Sequence, residues 1–211
     1  MDPLALLGNI PFSTSAIADV YPSLNSINDK ASNLENSGKI IRLKRNLYVL
    51  SPSVSGKLLS LELIANHLYG PSYVSMESAL RYYGLIPEAV QNVTSITIKR
   101  GKDFQTPIAL FRYTHCAKEY FNIGIRTEIN ENYSFLIACP EKALCDLIVT
   151  TSGINYRFQK DILNYLGNDL RLDMDEFSKM DSNIFTECAK VGKKSQMLLT
   201  IAKILKNERH I

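Results

Sequence analysis

KIIRLKRNLYVL, Lys39 to Leu50, decides how the N-terminal part of the chain is read. Ile41 and Leu43 alternate with Arg42 and Lys44, the period of a strand with one face buried. Lys44-Arg45-Asn46 then makes a turn, where asparagine is suited because it tolerates positive φ. Leu47 to Leu50 returns as an apolar strand. The pattern predicts a hairpin with a basic tip and a buried base.

The residues upstream are helical in pattern. A short helix is expected from Pro3 to Gly8, and a second from a Ser13 or Thr14 cap to about Val20. Pro22 breaks the chain, because it fixes its own φ and disfavours helix in the residue before it. A third helix is expected from a Ser23 cap, with Leu24, Ile27, Ala31 and Leu34 on one face and Gly38 as its stop. Its outward face carries Asn25, Ser26, Asn28, Asp29, Lys30, Ser32 and Asn33. A merely solvated helix more often carries Glu, Lys and Arg, which are better helix formers. Helix, turn, polar helix and basic hairpin together describe a winged helix-turn-helix over residues 1–50. Such a unit would place the third helix in a major groove and the hairpin on phosphate. The expected DNA contacts are Asn25, Ser26, Asn28, Lys30 and Asn33 on the helix, with Lys39, Arg42, Lys44 and Arg45 on the hairpin. Asp29 fits a solvated face better, since it repels phosphate unless it accepts from cytosine.

Residues 51–56, with Pro52, are expected to be a linker. Beyond it the pattern predicts a helix from Lys57 to Leu68, with Leu58, Leu61, Ala65 and Leu68 on one stripe. A short helix from a Ser75 cap, Met76 to Tyr83, closes at Gly84. Strands are expected near Asn92–Arg100, Ile108–Thr114, Ile123–Ile129 and Tyr133–Ala138, and Pro140 opens a helix running to about Val149. From Tyr156 onward the pattern is helical. The fold class expected is therefore α+β: the small N-terminal unit, then a larger α/β domain over 57–211 with a mostly antiparallel sheet and a helical C-terminus.

The 211 residues are 45% hydrophobic and 21% charged, the balance of a soluble globular protein. No apolar run approaches the roughly 20 residues a membrane helix needs. The first residues lack the basic region and small-residue cleavage site of a signal peptide, so a cytoplasmic location without membrane partners is expected. Cys116, Cys139, Cys145 and Cys188 form no CxxC pair and have no histidine at zinc-ligand spacing, so they are expected to be reduced packing residues. A net charge of +3 is too mild to identify a nucleic-acid binder, and a charge run is usually a solvated face.

Nothing points to catalysis, a metal or a cofactor. His67, His115 and His210 are scattered, and no phosphate-binding glycine loop or HExxH appears. Asp103, Glu128 and Glu131 at strand ends suggest a metal-dependent nuclease as an alternative, although acids at turns are usually solvated.

Three motifs carry a resemblance: PSYVSMESALRYYGLIPE (Pro71 to Glu88), SITIKRGKDFQTPIALFRY (Ser95 to Tyr113) and IACPEKALCDLI (Ile137 to Ile148). With the hairpin IRLKRNLYVL, Ile41 to Leu50, they resemble the AbiEi-type antitoxins of bacterial toxin–antitoxin operons. The likeness spans roughly Thr14 to Thr151. It departs at Asn46, where such hairpins often have glycine. The resemblance implies a winged domain that binds inverted repeats in double-stranded DNA upstream of its own operon and represses it. It also implies a larger domain associated with neutralising a nucleotidyltransferase-like toxin encoded next door.

Within the first motif, Ser75, Ala79, Leu80 and Gly84 are accounted for by helix capping and packing. Tyr73, Ser78, Arg81 and Tyr82 remain candidates for a toxin-facing surface. Lys193 and Lys194 are further candidates to meet DNA or an acidic partner. In the third motif Lys142 and Asp146 sit four apart on a helix and can pair, worth tenths of a kcal/mol if exposed. The other reading, still within DNA binding, is a stand-alone regulator whose second domain senses a ligand or dimerises.

Overall fold

The hairpin sits where two hydrophobic cores meet. A computed structural model describes residues 3–23, 26–87 and 92–208. A 3-10 turn, Pro3–Leu7, leads into helix α1 (Thr14–Val20) and helix α2 (Ile27–Asn36). Strands β1 (Ile40–Lys44) and β2 (Leu47–Leu50) form a two-stranded antiparallel sheet. Helix α2 starts later than Ser23, because Ser26 is the cap and its Oγ accepts from Asp29 N–H at 3.3 Å. Leu24 and Asn25 lie outside the described residues. Ala31 and Leu34 are buried as the apolar stripe requires, while Ile27 is exposed. Gly38, at φ 68°, takes the left-handed conformation that ends the helix, and Lys39 N–H closes back on Leu34 C=O at 2.9 Å.

Paired residues of an antiparallel ladder share a face, and here the two faces go to different cores. Ile40, Tyr48 and Leu50 pack with Leu4, Phe12, Ile17, Ala31 and Leu34 in the small N-terminal core. Leu43 and Val49 pack into the core of the larger body, with Ile41 and Leu47 against it. Simple alternation places Arg42 and Lys44 together on the solvent side. A β-bulge between Arg42 and Lys44 breaks that alternation and pairs Lys44 with Leu47, on the face toward the larger body. The turn holds Asn46 at φ 60°, the conformation asparagine tolerates.

Residues 51–56, expected as a linker, contain a single helical turn, α3 (Pro52–Ser55). Helix α4 (Leu61–Leu68) begins at Ser60, whose Oγ accepts from Leu63 N–H at 3.2 Å. Its start is therefore later than Lys57, and Leu58, placed on the stripe by spacing, is 90% exposed.

Strand β3 (Ser72–Val74) precedes helix α5 (Met76–Tyr82). Strands β4 (Asn92–Thr97), β5 (Lys102–Gln105) and β6 (Leu110–His115) follow, then a helical turn α6 (Lys118–Phe121). Strands β7 (Ile125–Asn130) and β8 (Tyr133–Ala138) lead to helix α7 (Pro140–Thr150). Helix α8 (Gln159–Asn164) continues as a π turn, Tyr165–Asp169, before α9 (Met174–Ser178), α10 (Ser182–Val191) and α11 (Ser195–Glu208).

The six strands β3–β8 make one sheet in the order β5-β6-β4-β3-β8-β7. It is mixed: three of its five ladders are antiparallel, as expected, and two are parallel, β4 with β6 and β3 with β8. Strand β3 joins the two halves of the sheet, pairing antiparallel with β4 on one side and parallel with β8 on the other. All three of its residues are buried, so it shows no alternation by which sequence could reveal it. Among the described residues, no helix is long and apolar enough to cross a membrane.

Candidate nucleic-acid interface

Helix α2 and the hairpin open toward the same side. Asn28 and Ser32, one turn apart on α2, line a concave surface with Arg42, Arg45, Asn46 and Tyr48 of the hairpin and Thr14 of α1, enclosing about 440 Å³. The arrangement is held at the hairpin turn. Asn46 Oδ1 accepts from Thr14 N–H at 3.0 Å and also from the Thr14 hydroxyl, so the turn caps α1 and fixes the hairpin against the helices. Ser13, at the cap position, makes no such bond itself.

The cleft's charge is cationic. Arg45 is exposed at the tip. Arg42 lies over the Tyr48 ring, 5.6 Å from its centroid, and meets Glu35 of α2 at 2.6 Å with both side chains partly in solvent. Among the described residues, no carboxylate lines the concave surface itself. Two guanidiniums, two amides and several hydroxyls present donors and acceptors toward one opening, a set suited to phosphate and base edges.

The other expected contacts are placed differently. Asn33 is exposed on α2 but does not line the cleft. Ser26 is used as the helix cap. Lys30 stacks its ammonium over Tyr21, 4.1 Å from the ring centroid. Lys39 is half-buried at the foot of β1. Asn25 falls outside the described residues.

Lys44 is the clearest correction. The bulge turns it toward the larger body, where its Nζ donates to Leu68 C=O at 2.5 Å and lies 5.9 Å from the Phe104 centroid. Its ammonium is held below the ordinary lysine range by burial first, then by the charges of Lys102 and Lys99. Thr14 and Tyr48, by contrast, line the cleft although sequence marks them only as a cap and a buried strand residue.

The candidates for a toxin-facing surface also divide. Arg81 and Tyr82 are exposed, and with the half-buried Ser78 they border a shallow hollow that Leu59, Leu61, Glu62, Asn92 and Val93 complete. Tyr73 is fully buried and cannot face a partner. Lys193 is exposed, but Lys194 donates to Ile148 C=O at 2.6 Å and to Thr151 C=O at 2.5 Å. It thereby satisfies carbonyls at the end of α7 rather than offering its charge outward.

Tyr73 belongs to a polar cluster that spacing only hinted at. Lys142 and Asp146 of α7 pair at 3.0 Å with no solvent exposure on either side chain. Asp146 Oδ2 accepts from the Ser75 hydroxyl at 2.6 Å and the Tyr73 hydroxyl at 3.0 Å. Ser75, expected as a helix cap, thus spends its hydroxyl on this carboxylate and makes no cap bond. Lys142 Nζ also donates to Tyr120 C=O at 3.0 Å and sits 3.1 Å from the Tyr120 ring centroid. Burial, then Asp146, drives the Tyr73 and Tyr120 phenols far above their usual range. Gly124, at φ 61°, lets the chain pass the α7 start, where any Cβ would lie 2.8 Å from Lys142 Cβ.

The acids of the nuclease alternative do not converge. Asp103 lies on β5 and Glu128 on β7, the opposite edges of the sheet, and Glu131 is in the turn after β7. Asp103 is paired instead with Arg112 at 3.3 Å. His67 and His115 are exposed, and His210 is outside the described residues. All four cysteines are free thiols, and burial pushes Cys116 and Cys139 up to about 12. Compared with known proteins, the chain matches no family model and no curated relative.

Proposed function

We propose that the chain is a DNA-binding autorepressor that also neutralises a nucleotidyltransferase-like toxin, as the AbiEi-type resemblance implies. On this reading residues 1–50 act as a winged helix-turn-helix and the larger body as the antitoxin domain. The observation that carries DNA binding is the shared opening of Asn28 and Ser32 on α2 with Arg42 and Arg45 on the hairpin. Helix α2 would enter a major groove while the two arginines meet the flanking backbone. The antitoxin half rests on the three motifs. In the fold they are β3–α5, the strands β4–β6 and β8–α7, and the first and last of these meet in the Asp146 cluster. Arg81 and Tyr82 are the exposed residues of α5 that a partner would meet.

Fluorescence anisotropy with labelled duplexes tiling the region upstream of the chain's own gene tests the first half. Wild-type protein should bind at least one duplex more tightly than a random one. Arg42→Ala/Arg45→Ala should reduce the magnitude of the log K versus log salt slope by about 0.9 for each phosphate no longer neutralised. An unchanged slope rejects the arginines' role. Co-expression with the product of the adjacent reading frame tests the second half. Full-length Arg42→Ala/Arg45→Ala should relieve toxicity as well as wild type does while no longer repressing, which separates the two activities.

The ligand-sensing alternative has one observation in its favour. A cavity of about 530 Å³ lies between β4, β6, α7 and the α10 end, bordered by Ile96, Cys116, Tyr120 and Val149. A thermal-shift screen of small metabolites against the purified chain addresses it.

A further inference from the structure

Lys44 of the hairpin meets a group of cations on the larger body. The turn from β4 to β5, Lys99-Arg-Gly-Lys102, is exposed throughout and lies beside Lys44. Lys44 and Lys102 stand over one ring, 5.9 and 4.8 Å from the Phe104 centroid. Lys99 stands over the neighbouring Tyr69 ring at 5.3 Å, and the two rings are 5.5 Å apart. The Tyr69 hydroxyl donates to Arg100 C=O at 3.1 Å, tying the turn to the end of α4. The same end receives two ammoniums: Lys44 on Leu68 C=O and Lys99 on Gly70 C=O, each at 2.5 Å. Carbonyls at a helix C-terminus favour cations, so both lysines are held in place rather than left to wander.

What this cluster lacks is acid. Among the described residues no carboxylate pairs with Lys44, Lys99 or Lys102, and the one acid in the turn region, Asp103, is taken by Arg112. Crowded like charges raise the free energy of the isolated protein, and a polyanion removes that cost when it binds. The cluster meets the cleft at the hairpin turn, where Lys44 points to the larger body and the next two residues, Arg45 and Asn46, line the cleft. Its rings are occupied by lysines rather than open to bases, which favours a backbone contact over stacking.

We infer that the β4–β5 turn, with Lys99, Arg100 and Lys102, is a second phosphate clamp that extends the duplex contact from the hairpin onto the larger body. The inference rests on the DNA-binding reading and adds to it. The larger body would fix the register of the DNA without reading its sequence. The rigid attachment of the hairpin, through Leu43, Val49 and the Lys44 bond, gives the two contact elements one fixed spacing.

The test is anisotropy of the full chain on a 40-bp labelled random duplex and on the best upstream duplex, across a salt series. Variants are Lys99→Ala/Arg100→Ala/Lys102→Ala, Arg100→Ala/Lys102→Ala and Arg42→Ala/Arg45→Ala, each checked for an unchanged far-UV spectrum. The second variant spares Lys99, so a packing defect at Tyr69 cannot account for its behaviour. The expected result is that Arg100→Ala/Lys102→Ala weakens binding to both duplexes alike and makes the log–log salt slope shallower by about 0.9 for each phosphate released, hence about 1.8. A wild-type slope in both turn variants, with weakening only in the hairpin variant, overturns the clamp and leaves the DNA-binding reading standing. Failure of wild type to bind either duplex overturns that reading and the clamp with it.

Discussion

Arg42–Glu35 and Lys142–Asp146 are both short ion pairs, but they do opposite work. The first meets at 2.6 Å with side chains 46% and 33% exposed; the second meets at 3.0 Å with none. An exposed pair exchanges easily for another anion, because water and salt compensate either partner. A buried pair has no such substitute, since each charge would be left in a medium that cannot solvate it. The exposed charge of Arg42 is therefore available for a ligand, while the buried Lys142–Asp146 pair specifies which elements pack. The difference lies in packing, not in residue type.

The strongest way to break the comparison is at the buried pair. Asp146→Ala should cost at least about 3–5 kcal/mol, because it strands Lys142 and also removes the acceptor of Ser75 and Tyr73. Urea titration checks this, and Lys142→Met/Asp146→Leu should recover part of the loss. A cost below about 1 kcal/mol for Asp146→Ala would mean the pair is not closed to water.

The same interior should resist ionisation of Cys116 and Cys139. Cys116 and Cys139 are raised from about 9 to about 12, chiefly by burial. Between those values the unfolded chain loses protons that the fold retains, so stability present below pH 9 should be lost as pH rises toward 12. Denaturation midpoints at pH 8, 9.5 and 11 measure it, and Cys116→Ala should flatten the decline.

At the hairpin the expected effects are smaller. Asn46→Ala removes the α1 cap and places a Cβ-bearing residue without asparagine's tolerance at φ 60°, for a loss of about 1–2 kcal/mol. Asn46→Gly keeps the backbone freedom and should lose less. Equal losses would show that the cap alone matters. Smallest of all, Glu35→Gln should change stability by less than about 1 kcal/mol. Yet it frees Arg42 from its competitor, so duplex affinity should rise several-fold. Unchanged affinity would place Arg42 outside the duplex interface.

Sequence carried the parts of the fold whose signals are local. The α1 bounds, the hairpin and the left-handed Asn46 follow from capping, alternation and turn chemistry. Strand β3 is illegible because three buried residues contain neither a period nor a bounding pattern. Alternation misplaces Lys44 because a one-residue bulge leaves no trace in composition yet turns the side chain to the other face. The Lys142–Asp146 spacing is visible, but its burial depends on β3 and α6, which approach from elsewhere in the chain. Of the cleft, Asn28, Arg42 and Arg45 are legible as polar and basic residues at helical and hairpin positions. Thr14 and Tyr48 enter it only through tertiary packing.

Cross-linking asks most directly whether the opening between α2 and the hairpin holds a duplex. A photo-reactive amino acid would be placed at Ser32, inside the opening, and separately at Asp175 on α9, which is exposed and outside it. With the tightest upstream duplex, irradiation should join Ser32-labelled protein to DNA, with yield falling as unlabelled duplex is added, and leave the Asp175 derivative unlinked. Equal yields at the two sites, or none at Ser32 while the protein is bound, would contradict the account.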